Sequence, residues 1–397
     1  MRIASKGLLL LAIFAAFAFP LLAAEPASDT PSSDSTVAVS SDPAPQTTPP
    51  AEPKKPAPPP SGAQIKVSDT INIKFGVLLQ PQADFSQNTT GGTIENFWVR
   101  RTRFISSGQV SKNVFFFFQT ENNRLGGAVN GATKSTAGFQ TTDAVAEFRY
   151  SKALNLWAGL IYLPTSREAL KSSATEFMID VNSYAYTATT ALAGTGGRDT
   201  GFMLRGYAMD DHLEYRAGLF QGLRDATSRN FFRRIARVQY NFFDTEVYNL
   251  PSYAGSYFGT KKIVALGAAW DKQNTYKGPT ADLFIDWPTS FGCVNNTNTF
   301  MRLDGGDFVS SLSGESNVFV SDVGLYFKKV KLGPWARWEQ RKFQGPSASK
   351  SEKRYVVGVN WYPYGSNFNI KTGYGRLRPD VGREQNQFTV QMQFFYF

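Results

Sequence analysis

INIKFGVLLQ, residues 71–80, places Ile71, Ile73, Phe75, Val77 and Leu79 on alternate positions, with Asn72, Lys74, Gly76 and Gln80 between them. A period of two belongs to a β-strand whose faces meet different surroundings. Sustained over some ten residues, it is the pattern of a strand that crosses a bilayer with its apolar face toward lipid. Soluble strands average only about half that length, which argues against a soluble β-sandwich.

Comparable segments follow near 95–110, 112–124, 140–151, 153–164, 199–210, 211–222, 231–244, 260–273, 278–288, 295–305, 316–329, 330–343, 352–363, 366–377 and 385–397. With the first they make about sixteen, an even number as a closed antiparallel transmembrane β-barrel requires. Short connections (110–113, 151–153, 210–211, 331–334, 363–366) largely alternate with longer ones (86–95, 122–141, 165–199, 222–231, 304–316, 377–386), as periplasmic turns alternate with external loops. The segment 244–260 is long although its parity is periplasmic. Trp157, Tyr162, Trp270, Trp287, Trp335, Trp338, Trp361, Tyr362 and Tyr364 fall toward strand ends, where aromatic girdles meet headgroups.

The text before the barrel differs. Arg2 and Lys6 precede an apolar run from Leu8 to Phe19 that breaks at Pro20 and ends in small residues at Ala23 and Ala24, the layout of a cleaved export signal over 1–24. Residues 25–64 are mostly Pro, Ala, Ser, Thr and Asp, a linker too polar to fold and expected in the periplasm, with the barrel domain at 65–397. After Phe19 no apolar run is long enough for a membrane helix, so any spanning part must be a closed barrel. Export plus barrel predicts the bacterial outer membrane, with outer-membrane lipid, lipopolysaccharide and the barrel assembly machinery as partners. The single Cys293 cannot form an internal disulfide.

Formal net charge is +10, and residues 65–397 hold 38 Lys and Arg against 27 Asp and Glu, a surplus of 11. Export makes nucleic acid an unsuitable partner, which leaves anionic lipid and small anions. Parity puts Arg101, Arg103, Arg205, Arg216, Arg237, Arg337, Arg341 and Lys371 on the lumen face, along with Arg354. Rings of Arg and Lys in a narrow pore concentrate anions and replace part of their hydration. The bland alternative is that these cations pair with lumen carboxylates such as Asp143, Glu147, Glu214 and Glu339 and only keep the pore wet. The longest loop, 165–199, carries Arg167, Lys171 and Arg198, and either folds inward as a constriction or stays solvated outside.

Enzyme chemistry has little to draw on. His212 is the only histidine and lies beside a tight turn, so His-dependent triads and metal sites lack members. GTGGR at 194–198 lacks the Lys-Ser/Thr of a phosphate loop. Asp304, Asp307 and Glu315 around a Gly-rich turn are a weak calcium motif. No catalytic residue, metal or cofactor is expected.

FWVRRTRFISSGQV (97–110), LNLWAGLIYLPTSREALKSS (154–173), RDTGFMLRGYAMDDHLEYRAGLFQG (198–222) and YFGTKKIVALGAAWDKQ (257–273), in this order, resemble the phosphate-selective porin O and P family. The resemblance covers roughly 70–397. It implies a 16-stranded, trimeric porin for small anions, phosphate being the candidate, with basic side chains ringing a constriction of inward-folded loops. Arg101, Arg103, Arg167 and Arg198 match the family's basic positions, while Tyr162 stands where the family often has Lys. The terminal Phe397 resembles the insertion signal of such barrels, although Val390, Met392 and Phe394 are out of phase with it, which a bulge near the end would reconcile. Two other functions fit the same pattern: a general or sugar-type diffusion pore, and a plugged barrel serving as adhesin or envelope anchor.

Overall fold

The computed structural model describes residues 63–397 except 130–132, 136–137, 181–182, 190–191, 193–195, 225–230, 248–249, 310–311 and 313–314. The expected signal and nearly all of the linker lie outside the described residues.

Sixteen antiparallel strands form one closed barrel: β1 Asn72–Gln87, β2 Thr93–Ser111, β3 Val114–Asn122, β4 Gln140–Ser151, β5 Leu154–Tyr162, β6 Arg198–Ala208, β7 Leu213–Phe220, β8 Arg233–Asn241, β9 Ile263–Gln273, β10 Tyr276–Pro288, β11 Gly292–Asp304, β12 Glu315–Phe327, β13 Leu332–Phe343, β14 Glu352–Tyr364, β15 Phe368–Pro379 and β16 Gln385–Tyr396. Each strand pairs with its neighbours in sequence, and β16 closes on β1 (Val390 opposite Ala83, Phe394 opposite Leu79). A short strand, Ala63–Lys66, adds to the start of β1. Every strand of the barrel coincides with a segment of alternating sequence.

The alternation has the expected physical outcome. Along β9 the side chains of Ile263, Ala265, Ala269 and Asp271 are buried inside, whereas Leu266 and Trp270 are exposed to the outside. An exterior of Phe104, Phe202, Leu204, Val238, Leu266 and Val357 would be costly in water and suits a hydrocarbon surround.

Two local expectations are corrected. Of the nine girdle aromatics, Trp157, Tyr162, Trp335 and Tyr362 point inward and are buried, while Trp270, Trp338, Trp361 and Tyr364 are exposed. Their parity is that of the lumen, where segments folded into the barrel cover them. Second, no bulge interrupts the pairing of β16 with β15 or β1. Phe397 instead turns inward at the periplasmic end, where the Lys74 ammonium lies 4.5 Å from its ring. The long segment between β8 and β9, periplasmic by parity, folds back into the lumen, where Tyr253 and Glu246 are buried.

Candidate constriction and permeation path

The connection between β5 and β6 folds into the barrel and reaches several of its walls. It contains two single-turn helices, α1 Arg167–Leu170 and α2 Tyr184–Thr187. Ser166 and Ser183 start them, their hydroxyls accepting from the backbone N–H of Ala169 (3.0 Å) and Tyr186 (3.1 Å). The tip is set by Phe177, fully buried with Met178, Tyr326, Trp335 and Tyr362. Glycine makes the dock: a Cβ on Gly324 or Gly333 would lie 2.4 Å or 2.8 Å from the Phe177 ring. The Phe177 carbonyl accepts from Asn360 and Tyr362, each at 2.7 Å.

Toward β1 and β2 the same loop is held by polar groups. Asp180 accepts from Arg100 Nε (3.0 Å) and Arg101 Nη2 (2.9 Å). Burial works to raise the Asp180 pKa, but Arg100 and Arg101 outweigh it and hold the carboxyl well below its ordinary value. Arg103 donates to Glu121 (2.5 Å) and to Ser173 Oγ (2.7 Å). Gln80 and Gln393 donate to the Ser173 and Ala174 carbonyls. Arg100 escaped the parity argument because the β1–β2 register shifts between Leu79 and Pro81, which turns consecutive residues, Arg100 and Arg101, inward.

The inserted segments from the two sides meet. Tyr253 N–H donates to the Leu170 carbonyl (2.8 Å), and Ser172 N–H to the Tyr253 carbonyl (2.9 Å). The Tyr253 ring gathers three predicted cations, with the guanidinium carbons of Arg167, Arg216 and Arg237 at 4.8, 4.7 and 5.9 Å from its centre.

Each expected pathway residue except Arg341 is buried inside the barrel, and most have a carboxylate partner. Arg167 makes a two-point pair with Glu246 (2.8 and 2.7 Å). Lys171 lies among Glu168 (2.6 Å), Glu176 (2.9 Å) and Asp322 (3.6 Å). Burial lowers its pKa, but these three carboxylates outweigh burial and raise it above the ordinary lysine value. Arg198 meets Asp143 (3.3 Å) and lies over the Tyr162 ring (3.6 Å). Arg205 and Arg216 share Glu214 (2.6 and 3.0 Å), and Arg337 binds Asp322 through two nitrogens at 2.7 Å. Arg237 reaches over Gly267 of β9 to Asp282 of β10 (2.6 Å), where any Cβ at Gly267 would collide with both partners. Arg341 lies apart at the external mouth, its side chain 38% exposed and paired with Glu352. Lys371 differs: it donates to the backbone carbonyls of Glu176 (2.6 Å) and Met178 (3.0 Å) and forms no ion pair among the described residues.

The lumen therefore does not hold the positive surplus as free cations. Among the described residues twelve Arg and Lys side chains are buried, against fourteen Asp and Glu. A local imbalance exists at β2, where, among the described residues, Arg100, Arg101 and Arg103 pair with Glu121 and Asp180 alone. On the periplasmic side of this cluster opens a vestibule of about 540 Å³, lined by Asn72, Lys74, Ser107, Ser172, Thr175 and Phe397 among others. Asp304 and Glu315 stand opposite each other across β11 and β12, but Glu315 pairs with Arg302, Asp307 accepts from Thr275, and no group of three metal-holding side chains occurs among the described residues.

A membrane-spanning barrel narrowed by an inserted loop and opening into a polar vestibule is the architecture of a diffusion channel. The model of the phosphate-selective porin O and P family matches residues 75–242. Barrel and match together support a porin channel in the bacterial outer membrane. The matched region runs from β1 through β8 and includes Arg100, Arg101, Arg103 and the inserted loop. A search of curated proteins gives no match. Among solved structures the porin is similar in fold to Salmonella typhi OmpF in complex with daunomycin (12% identity, 84% of this chain and 100% of that one, TM-score 0.59). It is also similar to the outer membrane channel DcaP of Acinetobacter baumannii (10%, 85% and 100%, TM-score 0.55). A third similar structure is the trimer form of in-vitro folded OmpT of Vibrio cholerae (10%, 83% and 100%, TM-score 0.53).

Proposed function

We propose that this porin is a passive channel for small hydrophilic solutes that prefers anions, with phosphate the candidate solute, and that it works as a homotrimer. The observation that carries the anion preference is the β2 cluster, where three guanidinium groups share two carboxylates next to the inserted loop. The local excess of one positive charge lies where low dielectric and confinement make a fixed charge count most. The Lys371 ammonium, satisfied only by carbonyls, adds to it. The family match supports phosphate, and the trimeric form of a similar barrel supports the assembly.

The pairing of nearly every other buried cation favours a second reading, a pore of weak selectivity, because paired charges project little net field. Reversal potentials across planar bilayers in a salt gradient separate the two. Anion preference with block of chloride current by millimolar phosphate is expected. A cation-selective current would overturn the anion reading, and no current at all would leave a plugged barrel.

A further inference from the structure

The positive surplus absent from the lumen lies at the rims, and part of it faces the membrane. Arg234 of β8, Lys272 of β9 and Lys277 of β10 stand side by side on the exterior: Arg234 is opposite Lys272, and Lys272 is opposite Lys277. Directly opposed side chains lie about 5 Å apart, and like charges so placed repel. Only Lys277 has a carboxylate near it, Asp304 at 3.9 Å; Arg234 and Lys272 form no ion pair among the described residues. Such a triplet is stabilised by an anion. It sits at the end of the barrel opposite the C-terminus, on the side of the long loops.

Immediately toward the membrane lies an apolar groove of about 430 Å³, with Arg234 at its end. Its shape follows from the register. One row across four strands reads Leu204, Ala217, Ala236 and Trp270, so two small side chains on β7 and β8 form a trough between larger walls. Phe202 and Leu156 extend the wall on the β5–β6 side. The trough is on the lipid-facing surface and can take a hydrocarbon chain without displacing any protein group.

We infer that this surface binds one phosphate-bearing lipid of the outer leaflet, its acyl chain in the trough and its phosphate on Arg234, Lys272 and Lys277. Charge complementarity identifies the headgroup, and the apolar trough distinguishes an amphiphile from a free anion. Guanidinium and ammonium donors suit phosphate oxygens, and near a membrane surface each cation contributes on the order of 1 kcal/mol to anionic-lipid binding.

The test is native mass spectrometry of the intact porin in detergent with diphosphoryl lipid A as probe. The triple variant Arg234→Gln, Lys272→Gln, Lys277→Gln should hold it about a hundredfold more weakly. Dephosphorylated lipid of the same acyl composition should bind the unaltered porin as weakly as that. Ala236→Leu, which fills the trough, should weaken both lipids. Unchanged single-channel conductance of each variant checks that the barrel has folded. Equal retention by the triple variant overturns the inference. So does displacement of the lipid by millimolar inorganic phosphate, which would mark a free-anion site. A change of oligomer size with lipid retention unaltered would make the surface a subunit contact and overturn it as well.

Discussion

The inserted loop is held differently by two walls of the same lumen. Against β11–β14 it is anchored by close packing in addition to hydrogen bonds: Phe177 and Met178 lie among Tyr326, Trp335 and Tyr362, Tyr184 and Leu192 join Met301, Leu303 and Val320, and Asn360, Tyr362 and Arg337 donate to the Phe177 and Asp180 carbonyls. Against β1–β3 it is anchored by charged and amide groups, with Arg100 and Arg101 on Asp180, Arg103 on Ser173 and Gln80 on the Ser173 carbonyl. Close-packed apolar contacts cannot admit water without losing their stabilisation, whereas hydrogen bonds can exchange for water at a small net cost. The difference assigns the two walls different tasks. On the proposed function, the β11–β14 side would fix the loop and the β1–β3 side, beside the vestibule, would be where solute passes.

The largest expected effect comes from breaking the apolar anchor. Gly324→Val places carbon where the Phe177 ring sits and displaces the loop tip; Phe177→Ala removes the ring, at about 3–5 kcal/mol for a fully buried Phe. Both should raise single-channel conductance severalfold, and unchanged conductance would mean that the tip does not narrow the pore. Smaller effects follow on the polar wall. Arg103→Gln should leave conductance within about twofold while removing most of the anion preference, read as a reversal potential, because the local excess at β2 disappears. Glu121→Gln should move the same potential the other way.

The pH response is smaller still. The folded pKa of Asp180 is depressed, so its contribution to loop anchoring is present above the ordinary value of 3.8 and is lost only as pH falls through the depressed value. Conductance should hold constant between pH 7 and about pH 4 and change only in stronger acid. His212, whose Nδ1 meets the Asn241 carbonyl at a periplasmic turn, should be replaceable by Ala with no change in conductance.

Much of the barrel was legible because a period of two over ten residues has one physical meaning in a membrane strand. Parity likewise turned Arg101, Arg103, Arg205, Arg216, Arg237 and Arg337 inward. It failed at Arg100, because a shift of register is a property of two strands and leaves no mark in one. It also could not state which carboxylate faces which arginine: the Arg237–Asp282 pair spans an intervening strand and depends on Gly267, information that exists only once β8, β9 and β10 are aligned. Tyr253 was missed because alternation describes strands and is silent on where a connecting segment runs. Glycines on the lumen face, Gly324 and Gly333, were the one available signal that something bulky docks there.

Cysteine accessibility in a planar bilayer tests most directly where solute passes. With Ser107→Cys on the β2 side and Val320→Cys under the apolar anchor, a charged thiol reagent should reduce the current of the first and leave the second unaffected. Native Cys293, fully buried, should leave the unaltered porin insensitive. Reduction of current through Val320→Cys but not Ser107→Cys would contradict the account.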